Sequence, residues 1–241
     1  MDARRFPPDL VDAVLEVSNL LLSESDLDTT LDHVAAVGSR ILPGCDGAGI
    51  SVETEAGKTH TFGKTDQWVL EIDNSQYVAG EGPCLQAIRD GEVHEIVDLR
   101  TDDRWPVFKA AALEAGLRAS YSIPLSVRDK TIGALNLYSR SEGPFPEGAK
   151  AAVEVVAAQG AIALANAQTL QATKRLVEQL EVAIESRETI GAALGIVMER
   201  ENVSEQEAFE MLKSASQNTN VKLREVAKMI IDQKKKDLRS S

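Results

Sequence analysis

The sequence has few of the residues that build disulfide frameworks and metal centres. Cys45 and Cys84 are its only cysteines, too few for a disulfide framework and without the spacing of zinc ligands. His33, His60 and His94 are scattered through different predicted elements, and no nucleophile partner is visible for them. Because no acid–base pair or phosphate-binding loop stands out either, we predict no catalytic residues, no metal site and no enzyme activity.

Long apolar segments are also lacking. The first residues contain no basic stretch followed by an apolar one, which a secretory signal would require. The low-charge run over residues 151–167 is interrupted by Glu154, Gln159 and Asn166, which argues against a membrane span. We therefore expect a cytoplasmic protein that has no membrane partner.

Positive charge is scarce, and its distribution along the chain is uneven. The net charge is −12, with 26 Lys+Arg against 38 Asp+Glu. Residues 1–170 hold 14 of the basic and 26 of the acidic residues, which leaves 12 of each for residues 171–241. The acidic excess therefore belongs to the first part of the chain, while the neutral second part permits nucleic-acid binding if its basic residues cluster.

Helical and strand periods alternate over the first 150 residues. This pattern predicts an α+β domain, with a five- or six-stranded, mainly antiparallel sheet and helices on its faces. The predicted helices cover residues 10–22 and 25–42 and segments near 66–77, 83–89 and 106–115, and the predicted strands cover residues 47–53, 58–63, 93–99, 119–127 and 131–139.

This order of elements resembles the GAF domain, a ligand-sensing relative of PAS modules, over about residues 25–168. The cyclic-nucleotide version of the family carries an Asn-Lys…Phe…Asp-Glu motif that is not found here, so that ligand is disfavoured. Four segments carry the resemblance: Gly80-Glu81-Gly82-Pro83-Cys84, Asp103-Arg104-Trp105-Pro106, Ser122-Ile123-Pro124-Leu125 and Ile132-Gly133-Ala134-Leu135-Asn136-Leu137.

The resemblance implies a sensor pocket for a small molecule, whose identity the sequence does not give. Trp68, Cys84 and Trp105 are the candidate pocket residues, and core packing is the alternative for each. Cys84 follows Pro83, which suits the first position of a helix. A thiol in a first turn can have a lowered pKa and be redox-active, whereas a free cysteine is more usually a small buried apolar residue.

No proline follows Pro146, and from residue 149 the chain has the pattern of one long helix. Apolar positions recur there at alternating spacings of three and four, an a/d seam of about two heptads. We therefore predict a coiled-coil linker over residues 169–185 and a parallel homodimer, assisted by the helix predicted over residues 10–22. The seam consists of Leu170, Thr173, Val177, Leu180 and Ile184.

Residues 183–227 contain three short blocks of helical periodicity, which predict an all-α three-helix domain. Ser204 and Glu207 form a capping box at the start of the second block. The polar run over residues 216–220 separates the second block from the third, and we expect Asn220 to be the N-cap of the third helix.

These residues resemble the ANTAR domain, the RNA-binding output module of bacterial transcription antitermination regulators. The chain has Leu194 where the family usually has lysine, so one basic residue is missing from the first helix. The matching residues are Ser186-Arg187, Ile190, Ala193, Gly195, Met198-Glu199-Arg200, Glu207-Ala208-Phe209, Leu212, Ser216-Gln217-Asn218-Thr219-Asn220, Leu223-Arg224 and Ala227.

The resemblance implies that ANTAR dimers capture paired stem-loops in nascent mRNA and hold an antiterminator fold against a competing terminator. An arginine can pair with phosphate or stack on a loop base, and Asn and Ser side chains can contact base edges. The candidate RNA-binding residues are Arg187, Ser216, Asn218, Asn220, Lys222, Arg224 and Lys228.

The predicted organisation is a GAF sensor with N-terminal dimerisation helices (1–168), a coiled-coil linker (169–185) and an ANTAR RNA-binding domain (186–241). The preferred function is a signal-dependent antitermination regulator that binds tandem stem-loops and is not expected to bind DNA. Two alternatives stay open. Residues 208–231 can be read as a DNA-binding helix-turn-helix, although a polar loop of five residues is long for that motif. The module can also be a protein-interaction adaptor that has lost RNA binding, which Leu194 would explain.

Overall fold

The computed structural model describes residues 15–16, 27–54 and 57–240, without the side chains of residues 238–240. The chain divides into two compact units, Met1–Thr169 (the first unit) and Leu170–Ser241 (the second unit). Of the helix predicted over residues 10–22, only Leu15 and Glu16 are described, and both are helical; the rest lies outside the described residues.

Seven labelled helices and five strands follow one another in the described parts of the chain. In chain order they are α1 (Leu27–Ile41), β1 (Gly47–Glu53), β2 (Thr59–Lys64), α2 (Gln67–Ala79), α3 (Pro83–Asp90), β3 (His94–Ile96), α4 (Pro106–Glu114), β4 (Ala119–Val127), β5 (Lys130–Ser139), α5 (Glu147–Glu201), α6 (Glu205–Thr219) and α7 (Leu223–Ser240).

The five strands form one sheet in the order β2-β1-β5-β4-β3, and every neighbouring pair is antiparallel. The predicted α+β domain with a mainly antiparallel sheet is confirmed. The strand predicted over residues 93–99 is wrong in length, because only three residues, His94–Ile96, pair with β4. Short edge strands of this kind limit pairing with other chains.

One face of the sheet is apolar and packs on α1 and α5. Ile50 of β1, Ile123 of β4 and Leu135 of β5 lie on this face and are 4% exposed or less. Val34 of α1 and Val153 of α5 cover them and are themselves fully buried. Period-two alternation in the strands and helical spacing in α1 and α5 thus produce one continuous core.

The opposite face of the sheet consists of small and polar side chains, and it is buried as well. The registers of β1, β4 and β5 bring these positions side by side, and helices α2, α3 and α4 pack on this side. A Cβ atom added to Gly49 would lie 2.6 Å from Val69 of α2, so glycine permits this close helix–sheet approach. The face contains Gly47, Gly49, Ser51, Ser120, Ser122, Ala134, Asn136 and Tyr138.

Local capping fixes the ends of the two helices that cover this polar face. Asp66 is the N-cap of α2 and accepts a hydrogen bond from the Trp68 amide at 2.7 Å, while Gly80 ends α2 in the left-handed conformation. Gly82 precedes α3 with φ +141, and a Cβ there would lie 2.4 Å from Oε1 of Gln76. Both the backbone angle and the packing therefore require glycine at residue 82.

The second unit packs the end of α5 against α6 and α7. Its core includes Val197 of α5, Leu212 of α6 and Ala227 of α7, all buried. The capping box of Ser204 and Glu207 is confirmed, with both reciprocal hydrogen bonds present.

The predicted loop over residues 216–220 is wrong, because α6 continues through Thr219. Asn220 is not the N-cap of the third helix but the C-cap of α6, in the left-handed conformation with φ 52. Asparagine tolerates this conformation, so it can end a helix as glycine does. The connection between α6 and α7 is therefore only residues 220–222.

Helix α5 is the helix of the described chain that is long and apolar enough, by length and composition, to cross a membrane. Half of its most apolar stretch is buried within the structure, as in the core helix of a soluble protein. Val156, Ala161 and Leu164 of this helix belong to the core of the first unit. The apolar character of α5 is thus explained by packing on the sheet.

Candidate functional site

A cluster of buried polar side chains lies between the polar face of the sheet and helix α2. At its centre is Asp73 of α2, which is fully buried. One carboxylate oxygen of Asp73 accepts a hydrogen bond from the Tyr138 hydroxyl, and the other accepts one from Thr61 Oγ1 at 2.7 Å. Among the described residues Asp73 has hydroxyl partners and no cation, which is unusual, since buried acids are normally paired with a charge.

Hydrogen bonds extend this cluster across strands β1 and β5. Asn136 Nδ2 donates to Ser51 Oγ at 2.9 Å, and the Ser51 hydroxyl also bonds to the Tyr77 hydroxyl at 2.6 Å. The Tyr77 hydroxyl in turn lies 2.9 Å from Thr61 Oγ1, which is the group that donates to Asp73. Tyr77 is therefore linked to the buried carboxyl group through one intermediate side chain.

Three buried polar atoms near this cluster have no hydrogen-bond partner among the described residues: Ser120 Oγ, Ser122 Oγ and Asn136 Oδ1. Ser122 and Asn136 are cross-strand partners on β4 and β5. Buried polar groups are nearly always satisfied, and an unsatisfied one costs free energy. This part of the sheet therefore carries more polar capacity than the fold itself uses.

Burial raises the pKa values of the ionisable groups in and beside this cluster, among them Asp73 and Cys84. Burial raises the pKa of Asp73 to about 6, against the opposing effect of the hydrogen bonds from Tyr138 and Thr61. Burial, with the nearby Asp73 carboxyl group, raises the pKa of the Cys84 thiol to about 12. Thiolate is thus scarce at Cys84 near neutral pH, which opposes the redox chemistry considered for it.

The three residues predicted for the sensor pocket are not brought together as one lining. Trp68 and Trp105 belong to the apolar cluster between α2 and α4, and the indole of Trp68 donates to the Ala115 carbonyl at 2.7 Å. Cys84 lies in a separate small cluster, together with other residues of its own helix α3 and with Ala134 of β5.

A surface pocket of about 590 Å³ lies between the β1–β2 hairpin and α3, and it contains none of the three predicted residues. Tyr77, which belongs to the polar cluster, forms part of its wall. The lining residues are Glu53, Gly57, Lys58, Thr59, His60, Tyr77, Leu85, Ile88 and Arg89. Cavities of this size commonly hold small organic molecules.

Neither Asp73 nor its hydrogen-bond partners are among the residues predicted for the sensor pocket. A signal for Asp73 is its position on the buried stripe of α2, with Val69 and Ile72. The signal for Ser51, Ser122 and Asn136 is weaker, since polar residues at alternate strand positions usually indicate a solvated face. These residues are buried polar groups only because α2, α3 and α4 cover this face of the sheet.

In the second unit, the short turn between α6 and α7 brings several predicted RNA-binding residues to one end of the three-helix core. Ser216 Oγ donates to the Val221 carbonyl at 2.6 Å, which ties the last turn of α6 to the connection. Asn218 and Asn220 are exposed at the end of α6, and Lys222 is exposed just before α7.

Helix α7 presents the remaining basic candidates. Arg224 is half-buried and pairs with Glu225, with Nη2 3.2 Å from Oε1, while Lys228 is exposed one turn further on. Lys235 is also exposed and falls on the same helical stripe by spacing. Arg187 is exposed on α5, about one turn before Ile190, which contacts the core.

Leu194, which replaces the lysine usual in the family, is 9% exposed and belongs to the core of the second unit. In this chain, position 194 of α5 therefore packs against α6 and α7. The leucine thus contributes apolar contacts to the core of this unit.

Solved structures similar to the first unit define its class as a GAF domain. One is the GAF domain of a phosphoenolpyruvate-protein phosphotransferase (ptsP) from Coxiella burnetii, with a TM-score of 0.54 and 15% identity, covering 68% of this chain and 97% of that one. Another is free methionine-R-sulfoxide reductase from Neisseria meningitidis in complex with its substrate, with a TM-score of 0.52 and 16% identity, covering 70% and 99%. Identities this low establish the fold alone.

Family models agree with this class. The GAF domain model matches residues 24–165, which is more than half of the chain, and the ANTAR domain model matches residues 178–231. The chain belongs to the GAF domain family and carries an ANTAR domain in its C-terminal part. No curated protein matched the sequence. The predicted combination of a GAF fold with a helical ANTAR region is confirmed, and both are regulatory domains.

Proposed function

We propose that this protein is a cytoplasmic, signal-dependent regulator, with no enzyme activity, whose ANTAR domain binds RNA stem-loops and whose GAF domain senses a small molecule. The observation that carries the RNA part is the turn at residues 220–222. It joins the polar end of α6, with Ser216, Asn218 and Asn220, directly to the basic start of α7. Side chains that hydrogen-bond to bases thus lie beside side chains that neutralise phosphates.

The basic stripe of α7 supports this proposal on electrostatic grounds. Arg224, Lys228 and Lys235 recur at intervals that keep them on one side of the helix. The ion pair of Arg224 with Glu225 is partly exposed and so contributes little stability, which allows phosphate to replace Glu225 as the partner. A phosphate backbone can run along such a stripe even though the unit is neutral overall.

A homodimer is the second part of the proposal, and α5 supports it. Every residue from 169 to 185 is exposed. Leu170, Val177, Leu180 and Ile184 are 49–59% exposed and follow the three-four spacing of a coiled-coil seam. Packing this seam on that of a second copy would bury these side chains. Sedimentation at micromolar concentration should therefore give a dimer, and a strictly monomeric chain would refute this part.

The RNA part is tested by binding of the full chain to labelled RNA that carries two tandem hexaloop hairpins. Replacing Lys222 and Arg224 together by Ala should weaken binding on the order of 100-fold, because two charge-assisted contacts are lost. Binding should also decrease with salt, and the double variant should show a smaller salt slope.

The matched control is Lys213→Ala, which removes an exposed lysine of α6 that pairs with Glu210. It should leave RNA binding within about twofold, since a surface ion pair contributes little. Equal losses in the control and the double variant would show only a general charge effect. An unaltered chain that binds no RNA would support the adaptor alternative, whereas RNA binding that survives in the double variant would move the RNA contacts away from Lys222 and Arg224.

A DNA-binding regulator is the second candidate, and the short turn at residues 220–222 favours it more than the predicted five-residue loop did. The same titration therefore includes duplex DNA and a single hairpin. Tandem hairpins that compete far better than either would support the RNA proposal. Duplex DNA that binds as tightly as tandem hairpins would favour the helix-turn-helix alternative.

A further inference from the structure

The pocket between the β1–β2 hairpin and α3 differs in charge from the unit that contains it. The first unit carries the whole acidic excess of the chain, with 26 acidic against 14 basic residues. The pocket nevertheless has Lys58, His60 and Arg89 in its wall and only one carboxylate, Glu53. Lys58 and Arg89 outnumber the single carboxylate, and a concave site focuses the field of its charges, so this site favours anions within an acidic unit.

Among the residues that the structure describes, the basic side chains of the pocket are not used as ion-pair partners. In the described parts of the chain, no salt bridge joins Lys58 or Arg89 to a carboxylate. Arg89 donates from Nη2 to the Gly80 carbonyl at 2.8 Å, which fixes its position at the end of α3. An anchored guanidinium and an exposed lysine in the wall of one pocket can both donate to a carboxylate or phosphate.

The rest of the lining adds apolar surface and a hydroxyl group. Leu85 and Ile88 of α3 lie in the wall and are each 9% exposed. Tyr77 of α2 contributes another part of the wall, and its hydroxyl bonds to Ser51 and Thr61. The volume of about 590 Å³ exceeds what an inorganic ion would fill. The lining therefore matches a molecule with a charged end and an apolar body.

We propose that this pocket binds a small organic anion, in which a carboxylate or phosphate pairs with Lys58 and Arg89 while an apolar or aromatic body packs on Leu85 and Ile88. Bound ligand contacts Tyr77, and through Thr61 this contact reaches the buried Asp73 carboxyl group. The pocket thus gives the GAF domain an anionic ligand class and a physical connection from ligand to core. This inference rests on the proposed sensor function only for its biological role.

The test is a titration of the full ¹⁵N-labelled chain with four probes of similar size, followed by NMR. Phenyl phosphate and benzoate carry the anionic group, while benzyl alcohol and benzylamine supply the same ring in neutral and cationic form. Saturable shifts of the Tyr77, Leu85 and Ile88 amides are expected with one or both anions and not with the other two probes. The stronger of the two anions identifies phosphate or carboxylate as the preferred group.

The variant Lys58→Gln/Arg89→Gln should weaken binding of the preferred anion at least about tenfold, because its charge-assisted hydrogen bonds are lost. The matched control is Lys64→Gln, an exposed lysine at the end of β2, whereas Lys58 directly precedes the start of that strand, and the control should bind as the unaltered chain does. Benzylamine that binds as well as the anions, or anion binding that is unchanged in the double variant, would overturn the proposal. Because no RNA is present, this result is independent of the RNA-binding test.

Discussion

The two faces of the central sheet are equally buried, yet they are built from different chemistry. The face toward α1 and α5 is made of Ile, Val and Leu side chains, which interlock in the largest apolar cluster of the molecule. The face toward α2, α3 and α4 carries Gly, Ser, Asn and Tyr, with the Asp73 carboxyl group set against it. The sheet residues of the first face gain free energy from the transfer of their apolar surface out of water, whereas on the second face most of that gain comes from the covering helices.

This difference indicates a division of roles within one sheet. Apolar burial on the first face can stabilise the fold. The second face retains polar atoms that have no partner among the described residues, and burial there favours the protonated form of Asp73. Natural proteins keep such costly groups mainly where they serve a site. The candidate site lies on the second face, and substitutions on the two faces should therefore differ in both size and pH dependence.

The largest effect is expected from Leu137→Ala on the apolar face. Leu137 is fully buried in the main cluster, and removing its side chain leaves a cavity. The free energy of unfolding should fall by about 2–5 kcal/mol. Both tryptophans of the chain, Trp68 and Trp105, lie in the first unit, so tryptophan fluorescence during denaturation of the full chain reports this unit.

The matched control for this cavity is Val78→Ala on α2. Val78 is 90% exposed, so its truncation should change the free energy of unfolding by no more than about 0.5 kcal/mol. A loss at Leu137 as small as that at Val78 would contradict the assignment of the apolar face as the stabilising core.

An intermediate, pH-dependent effect is expected from Asp73→Asn on the polar face. The folded-state pKa of Asp73, about 6, lies above the ordinary value of 3.8, so the folded state binds the proton more tightly. Its contribution to stability is fully present below about pH 4 and is lost as pH rises through about 6. The loss amounts to roughly 3 kcal/mol across this window.

Asn resembles the protonated carboxyl group and does not titrate, so the variant should lack this decline. The difference between the two stability curves isolates Asp73, because carboxylates such as Asp98, whose pKa is lowered by hydrogen bonds from Arg100, contribute with the opposite sign in both proteins. Asp103→Asn, at an exposed position, should leave the curve unchanged. Parallel curves for Asp73→Asn and the unaltered chain would contradict a raised pKa at this site.

The elements of the first unit were predictable because most of them obey local rules. Asp66, Gly80 and Pro83 mark helix ends, and strand alternation on one side matches burial. The polar site was not predictable, since Ser122 and Asn136 alternate with apolar residues as they would in a sheet with a solvated face. Their burial depends on helices that are distant in sequence, which local periodicity does not encode.

The second unit shows the same limit at shorter range. The capping box at Ser204 has a local signature and was predicted, whereas the end of α6 was placed too early because residues 216–220 are all polar. Polar side chains continue a helix when they face solvent, as Gln217 and Asn218 do. Composition therefore suggested a loop where only Asn220, with its left-handed backbone, ends the helix.

The smallest effect is expected from Ser122→Ala on the polar face. The Ser122 hydroxyl is buried and has no hydrogen-bond partner among the described residues, so its removal should leave stability within about 1 kcal/mol or raise it. The matched variant Ser51→Ala removes a hydroxyl that bonds to both Asn136 and Tyr77, and it should cost about 1–3 kcal/mol. Denaturation followed by tryptophan fluorescence measures both. A loss at Ser122 equal to that at Ser51 would mean that the Ser122 hydroxyl is hydrogen-bonded in solution. The polar face would then lack the unsatisfied hydroxyl group that distinguishes it from the apolar face at this position.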